Sequence, residues 1–141
     1  MDTNLNGALR ACQSIYEPLK GSRQGRIINI ASLGSFLSFH KVAAYRASKS
    51  ALAALTRSLA CEWARDGICV NAIAPGIFPT DLNAELLDDT EPSRELLTRA
   101  PLSRFGNPKE LIGLAVLLAL DAAGYLTGQV DGGYLDSGVN T

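Results

Sequence analysis

Two short runs rich in β-branched residues stand on either side of one long helical stretch, and that arrangement limits the fold more than anything else in the chain. The runs are Arg26-Ile27-Ile28-Asn29-Ile30-Ala31-Ser32 and Ile68-Cys69-Val70-Asn71-Ala72-Ile73-Ala74. Both read as buried parallel strands, whose two covered faces leave no polar alternation. Residues 42–65 between them form a long helix, closed by Asp66-Gly67, where glycine supplies the left-handed stop. Residues 4–20 carry Leu5, Ala8, Leu9, Cys12, Ile15, Tyr16 and Leu19 at i, i+3, i+4 spacing, a helix with one buried face. A turn at 21–25 and a Gly/Ser/Phe-rich loop at 33–40 flank the first strand. Helix, strand, helix, strand, helix in that order predicts an α/β fold with helices on both faces of the sheet.

Beyond the second strand, Pro75-Gly76 makes a sharp break, and the polar, acidic stretch 80–100 reads as a mobile pair of short helices. Asn107-Pro108 predicts an N-cap followed by proline at the first helical position, opening an apolar helix to about Leu120. The tail from Leu126 to Gly133 holds at most a very short strand, for about three strands in all, and the first strand is left with a bare hydrophobic edge.

The 141 residues are one domain's worth of chain, 47% hydrophobic and only 19% charged, which fits a packed interior rather than disorder. A net charge of -1 with scattered Lys and Arg gives no basic surface for nucleic acid or an anionic membrane, and neither is expected as a partner. Cys12, Cys61 and Cys69 form no CxxC pair, and with the single His40 no zinc set can be written, so no metal is expected. Three free thiols and no signal-peptide pattern predict a cytoplasmic, soluble protein.

The chemistry concentrates in three side chains. Tyr45 and Lys49 stand one helical turn apart, and Ser32 lies thirteen residues before the tyrosine at a strand end. A phenol is a poor acid/base near neutrality, but a fixed ammonium favours the phenolate and brings it toward working pH. The i, i+4 spacing puts both groups on one helix face. A serine hydroxyl at the adjacent strand end can bond a carbonyl or alcohol oxygen held beside the phenol, and Ser35 competes with Ser32 for that part. None of the three supplies a hydride, so an alcohol/carbonyl redox step requires a cofactor. Alone, a Tyr-x-x-x-Lys match is equally compatible with a solvated helix face. Carboxyl ends of parallel strands are where α/β sheets place ligands, and both Ser32 and Pro75-Gly76 fall there.

Taken as an ordered set, the motifs resemble the C-terminal half of the short-chain dehydrogenase/reductase family. They are Asn4-Leu5-Asn6-Gly7, the strand ending at Ser32, Tyr45-Arg46-Ala47-Ser48-Lys49, Val70-Asn71-Ala72-Ile73-Ala74-Pro75-Gly76 with Thr80, Arg104 to Glu110, Thr127-Gly128-Gln129 and Asp131-Gly132-Gly133. The resemblance implies a partial Rossmann-like, doubly wound parallel sheet. It implies NAD or NADP as cofactor, Tyr45 as general acid/base, Ser32 orienting the substrate oxygen, and Lys49 holding the nicotinamide ribose. It further implies that Asn4 anchors a water relaying protons to the lysine, and that Pro75, Gly76, Ile77 and Thr80 lie against the nicotinamide. Other parts are open to Asn4, as a helix cap, and to Thr80, as an N-cap for a helix beginning at Asp81. Substrates would be small alcohols or ketones: Pro75-Gly76-Ile77-Phe78-Pro79-Thr80-Asp81-Leu82-Asn83 is similar to sugar-acid or polyol dehydrogenases of the gluconate type, with a 3-oxoacyl thioester as the competitor. The first two helices would form much of a homo-oligomer interface.

Two features depart from the family pattern. No glycine-rich phosphate turn follows a strand here: Gly21 and Gly25 have a comparable spacing, but Ile27 stands where a third glycine belongs. Val130 alone separates Gln129 from Asp131, which clips the last strand. Residues 1–141 are therefore expected to be a single incomplete domain, a fragment without the N-terminal nucleotide-binding half. Two functional readings follow: an NAD(P)-dependent oxidoreductase, and a non-catalytic remnant that only self-associates.

Overall fold

The computed structural model describes residues 1–36, 42–81 and 83–130. His40 and Asp131-Gly132-Gly133, singled out above, lie outside the described residues. The two apolar runs form strands β1 (Gly25–Ile30) and β2 (Ile68–Ile73), paired in parallel from Gly25 opposite Ile68 to Ile30 opposite Ile73. The short strand β3 (Gly128–Val130) joins the other edge of β2, also parallel, giving the order β1-β2-β3.

Because β2 is central and covered on both faces, Ile68, Val70, Asn71, Ala72 and Ile73 are all buried. Helices α1 (Ala8–Ser22) and α2 (Ala43–Trp63) pack on one face. There Cys12, Ile27, Leu59, Ala60, Ile68 and Val70 form the main cluster, with Tyr16, Leu19, Leu55 and Trp63 at its margin. Small residues let α2 approach the sheet closely farther along, where Ala31, Ala53, Ala72 and Ala74 meet. The opposite face is covered by α5 (Ile112–Ala119), whose Leu118 packs with Ile73 and Ala123 against Ile28. Two short helices, α3 (Ala84–Leu87) and α4 (Glu91–Thr98), fill the polar stretch between.

Local differences from the sequence reading have physical causes. The first helix begins at Ala8 rather than Asn4, because residues Asp2–Gly7 form a wider turn of the i→i+5 type. Its stop falls on Arg23, which adopts the left-handed conformation at φ 55°. Gly67 closes the segment after α2 at φ 76°, as its position suggested, and a side chain there would press on the Arg23 carbonyl at 3.0 Å. At the other helix start, Asn107 and Glu110 form a reciprocal capping box around Pro108, and the first turn is the tighter 3₁₀ form before α5 proper. Arg104 clamps the same Glu110 through two bonds of 2.8 and 2.6 Å and, as the main cause, holds its carboxyl down at about 2.

Candidate active site

The carboxyl ends of β1 and β2 gather the residues that the sequence singled out. Past β1 the chain stays tied to β2: the Ala31 N–H donates to the Ile73 carbonyl at 2.8 Å and the Leu33 N–H to the Pro75 carbonyl at 3.1 Å. Ser32 sits between these two bonds in extended conformation, half-buried. Its Oγ accepts the Gly34 N–H at 3.1 Å, which orients the oxygen and leaves the hydroxyl proton available for a ligand. Ser35, the rival, has a buried Oγ without a hydrogen-bond partner among the described residues, while its carbonyl accepts from Ser50 at 3.0 Å.

Lys49 reaches across from α2 to the same strand end, its Nζ donating to the Ile30 carbonyl at 2.6 Å. Partial burial pushes this amine below its ordinary value, because desolvation penalises the charged form. One turn earlier, Tyr45 is 47% exposed, and the lysine Nζ lies 5.9 Å from its ring centre. The phenol therefore fronts solvent while the ammonium beneath it is anchored. The loop from Leu33 to Ser35 is fastened to the start of α2 by Arg46, whose Nε donates to the Gly34 carbonyl at 3.3 Å, and by Ser50. Those two fasteners went unremarked in the sequence. Ser50 was the available signal, since serine within a helix weakens it unless the hydroxyl bonds elsewhere.

Asn4 lies in the opening turn and donates its side-chain N–H to Ser48 Oγ at 3.1 Å, so it caps neither helix. Thr80 also differs from the cap reading. Its N–H and Oγ1 both bond the Asn83 side-chain oxygen, at 2.7 and 3.1 Å, and the helix behind begins only at Ala84. Asn83 closes a tight turn first, so the helix start moves three residues on. Asn71, read as a strand residue bonding neighbouring backbone, donates to the Leu126 carbonyl at 2.8 Å.

Beside the strand ends opens an apolar cavity of about 290 Å³, lined by Pro75, Gly76, Ile77 and Phe78 on one wall and Leu102 and Phe105 on the other. Nothing lies within 4 Å of where a Gly76 side chain would project, so the backbone there is open to a ligand. Gly106 donates to the Ile77 carbonyl at 2.9 Å, and a side chain on it would collide with the Phe78 ring. The loop is thereby held against its second wall.

A family model described as enoyl-(acyl carrier protein) reductase matches residues 1–140. A 2-dehydro-3-deoxy-D-gluconate 5-dehydrogenase of Dickeya dadantii is 43% identical over 139 residues, 96% of this chain and 55% of its own length. A tropinone reductase homolog of Arabidopsis thaliana is 40% identical over 141 residues, covering 98% and 46% respectively. The solved structure of a gluconate 5-dehydrogenase from Burkholderia cenocepacia, in complex with NADP and tartrate, superposes with a TM-score of 0.88. It is 39% identical over 95% of this chain and 54% of that one. The chain spans about half the length of the curated relatives it matches.

Proposed function

Because the chain belongs to the short-chain dehydrogenase/reductase family, we propose that it carries the catalytic half of an NAD(P)-dependent oxidoreductase interconverting an alcohol and a carbonyl. The observation that carries this reading is the anchored Lys49 amine, 2.6 Å from the Ile30 carbonyl, under an exposed Tyr45 at the strand end that also holds Ser32. The open Pro75-Gly76-Ile77 backbone would hold the nicotinamide end of a cofactor, and Thr80 and Lys49 would supply polar contacts to its carboxamide and ribose. When bound, the nicotinamide supplies the hydride that reaches the carbonyl carbon.

In the reductive direction Tyr45 gives its phenolic proton to the carbonyl oxygen, and the alcohol leaves with one hydride and one proton gained. Ser32 donates its hydroxyl proton to that oxygen as a hydrogen bond, orienting it and stabilising the negative charge that develops there. Lys49 favours the phenolate left behind until solvent reprotonates it. Asn4 stands at the family's asparagine position, and we assign it support of this proton path rather than contact with substrate. Hydroxylated sugar acids are the substrate class suggested by the gluconate-type relatives, and the exposed apolar residues Ile112 and Val116 on α5, with Leu120 just past its end, support a homo-oligomer. Three free thiols support a reducing, cytoplasmic setting.

Titrating the purified chain with NADPH by fluorescence, then adding a keto sugar acid, tests the reading. Saturable binding followed by carbonyl-dependent oxidation is expected. Absence of saturable binding would leave the self-associating remnant as the reading.

A further inference from the structure

Between Tyr45 and Lys49 lies a serine to which no part has been given. Ser48 is 2% exposed. Its Oγ donates to the Tyr45 carbonyl at 2.6 Å and accepts the Asn4 side-chain N–H at 3.1 Å. In an α-helix the Tyr45 carbonyl is also the acceptor of the Lys49 N–H, so Ser48 adds a second donor to the one backbone group that joins the two residues. Asn4 belongs to another element, the opening turn, 44 residues away in sequence. A continuous chain thus runs from that turn, through Ser48, to the peptide carrying Tyr45.

Serine at a buried helix position is otherwise a poor choice. It lowers helix propensity, and its hydroxyl costs free energy unless bonded. A bond back to the i−3 carbonyl also bends the helix locally. Alanine would fill the site more cheaply if packing were its only requirement. Resting on the proton-transfer reading of Tyr45, we infer that Ser48 is a positioning residue: it transmits the placement of Asn4 to the first turns of α2 and fixes Tyr45 over Lys49.

The test is a double-mutant cycle of Ser48→Ala and Asn4→Ala in the full chain, reading kcat and KM for NADPH-dependent carbonyl reduction. Each single variant is expected to lower kcat about tenfold with KM within about twofold, the cost of a small misplacement. The double variant is expected to lose no more than the worse single one, since both break one chain. An unchanged kcat in Ser48→Ala, or a double loss equal to the product of the singles, overturns the inference. Should Ser48→Ala not fold by circular dichroism, Ser48→Thr carries the test, because it keeps the hydroxyl. It should hold kcat within about threefold of the parent, and a tenfold loss counts against the chain.

Lack of turnover in the parent chain would end the oxidoreductase reading, and the positioning is then read from lysine acylation at pH 8. Ser48→Ala should slow labelling of Lys49 relative to Lys20 by about threefold, as the loosened amine is rehydrated and more fully protonated. An unchanged Lys49/Lys20 ratio would contradict the inference.

Discussion

Two tyrosine–lysine pairs at the same i, i+4 spacing occupy this chain, and their surroundings make them opposites. Tyr16 and Lys20, near the end of α1, are locked into a cluster with Asp66: the phenol donates to the carboxylate at 2.7 Å, and the ammonium bonds both, at 3.3 Å to Tyr16 and 3.1 Å to Asp66. Trp63 packs on the same phenol ring at 4.8 Å. The carboxylate, first through its hydrogen bond, raises the Lys20 amine above its ordinary value. Tyr45 and Lys49 have no carboxylate bonded to them among the described residues; the amine turns to a backbone carbonyl, and burial lowers it. The same spacing thus gives a fastener where a carboxylate is at hand, and elsewhere the pair for which we propose acid/base chemistry.

The sharpest way to break the contrast is to remove each phenol. Tyr45→Phe should lower kcat for carbonyl reduction by about 10³-fold, the usual range for losing a general acid. Tyr16→Phe should leave kcat within about twofold, as a group remote from the chemistry would. Equal losses in steady-state assays would show that the two pairs do not differ in function.

Removing each amine comes next in size. Lys49→Met should cost about 10²-fold in kcat without lowering the urea midpoint, because the charge that disappears is a partly desolvated one. Lys20→Met should do the reverse, sparing turnover and lowering the urea midpoint. Urea unfolding of both variants, run alongside kcat, checks the pairing of effects.

The pH dependence of stability gives a smaller but cleaner contrast. Asp66 is lowered from 3.8, first by the Tyr16 hydrogen bond, and Lys20 is raised from 10.5. The cluster's contribution is therefore fully present between those unfolded values, lost as pH falls through the folded Asp66 value, and lost as pH rises through the folded Lys20 value. Lys49 has the opposite sign: with its folded value depressed, stability rises with pH as that amine deprotonates. Asp66→Asn should flatten the acid limb of the unfolding midpoint that arises from this cluster. An acid limb unchanged from the parent would remove the cluster from the account. Part of that limb will persist in any case through Glu110, held at about 2 by Arg104.

Much of this was legible from residue order. The two apolar runs gave the parallel pair and the placement of Ser32 and Pro75, because strand burial leaves a strong local imprint. The Tyr45–Lys49 pair was legible because a helix face is set by local spacing. Ser48 was not, since its meaning depends on Asn4, 44 positions away, and the Tyr16–Lys20 fastener was not, since Asp66 is 50 positions from the tyrosine. Partnerships across elements leave no periodic trace. The cap reading of Thr80 failed for a related reason: its hydroxyl donates to the Asn83 side-chain oxygen instead of accepting a helix N–H, and the sequence does not reveal that pairing.

The most direct test of the central contrast is a ¹³C NMR titration of the lysine side chains in one sample, with Lys49 and Lys20 assigned by substitution. Lys49 should titrate below 10.5 and Lys20 above it. A common midpoint, or the reverse order, would contradict the claim that surroundings rather than spacing set these two pairs apart.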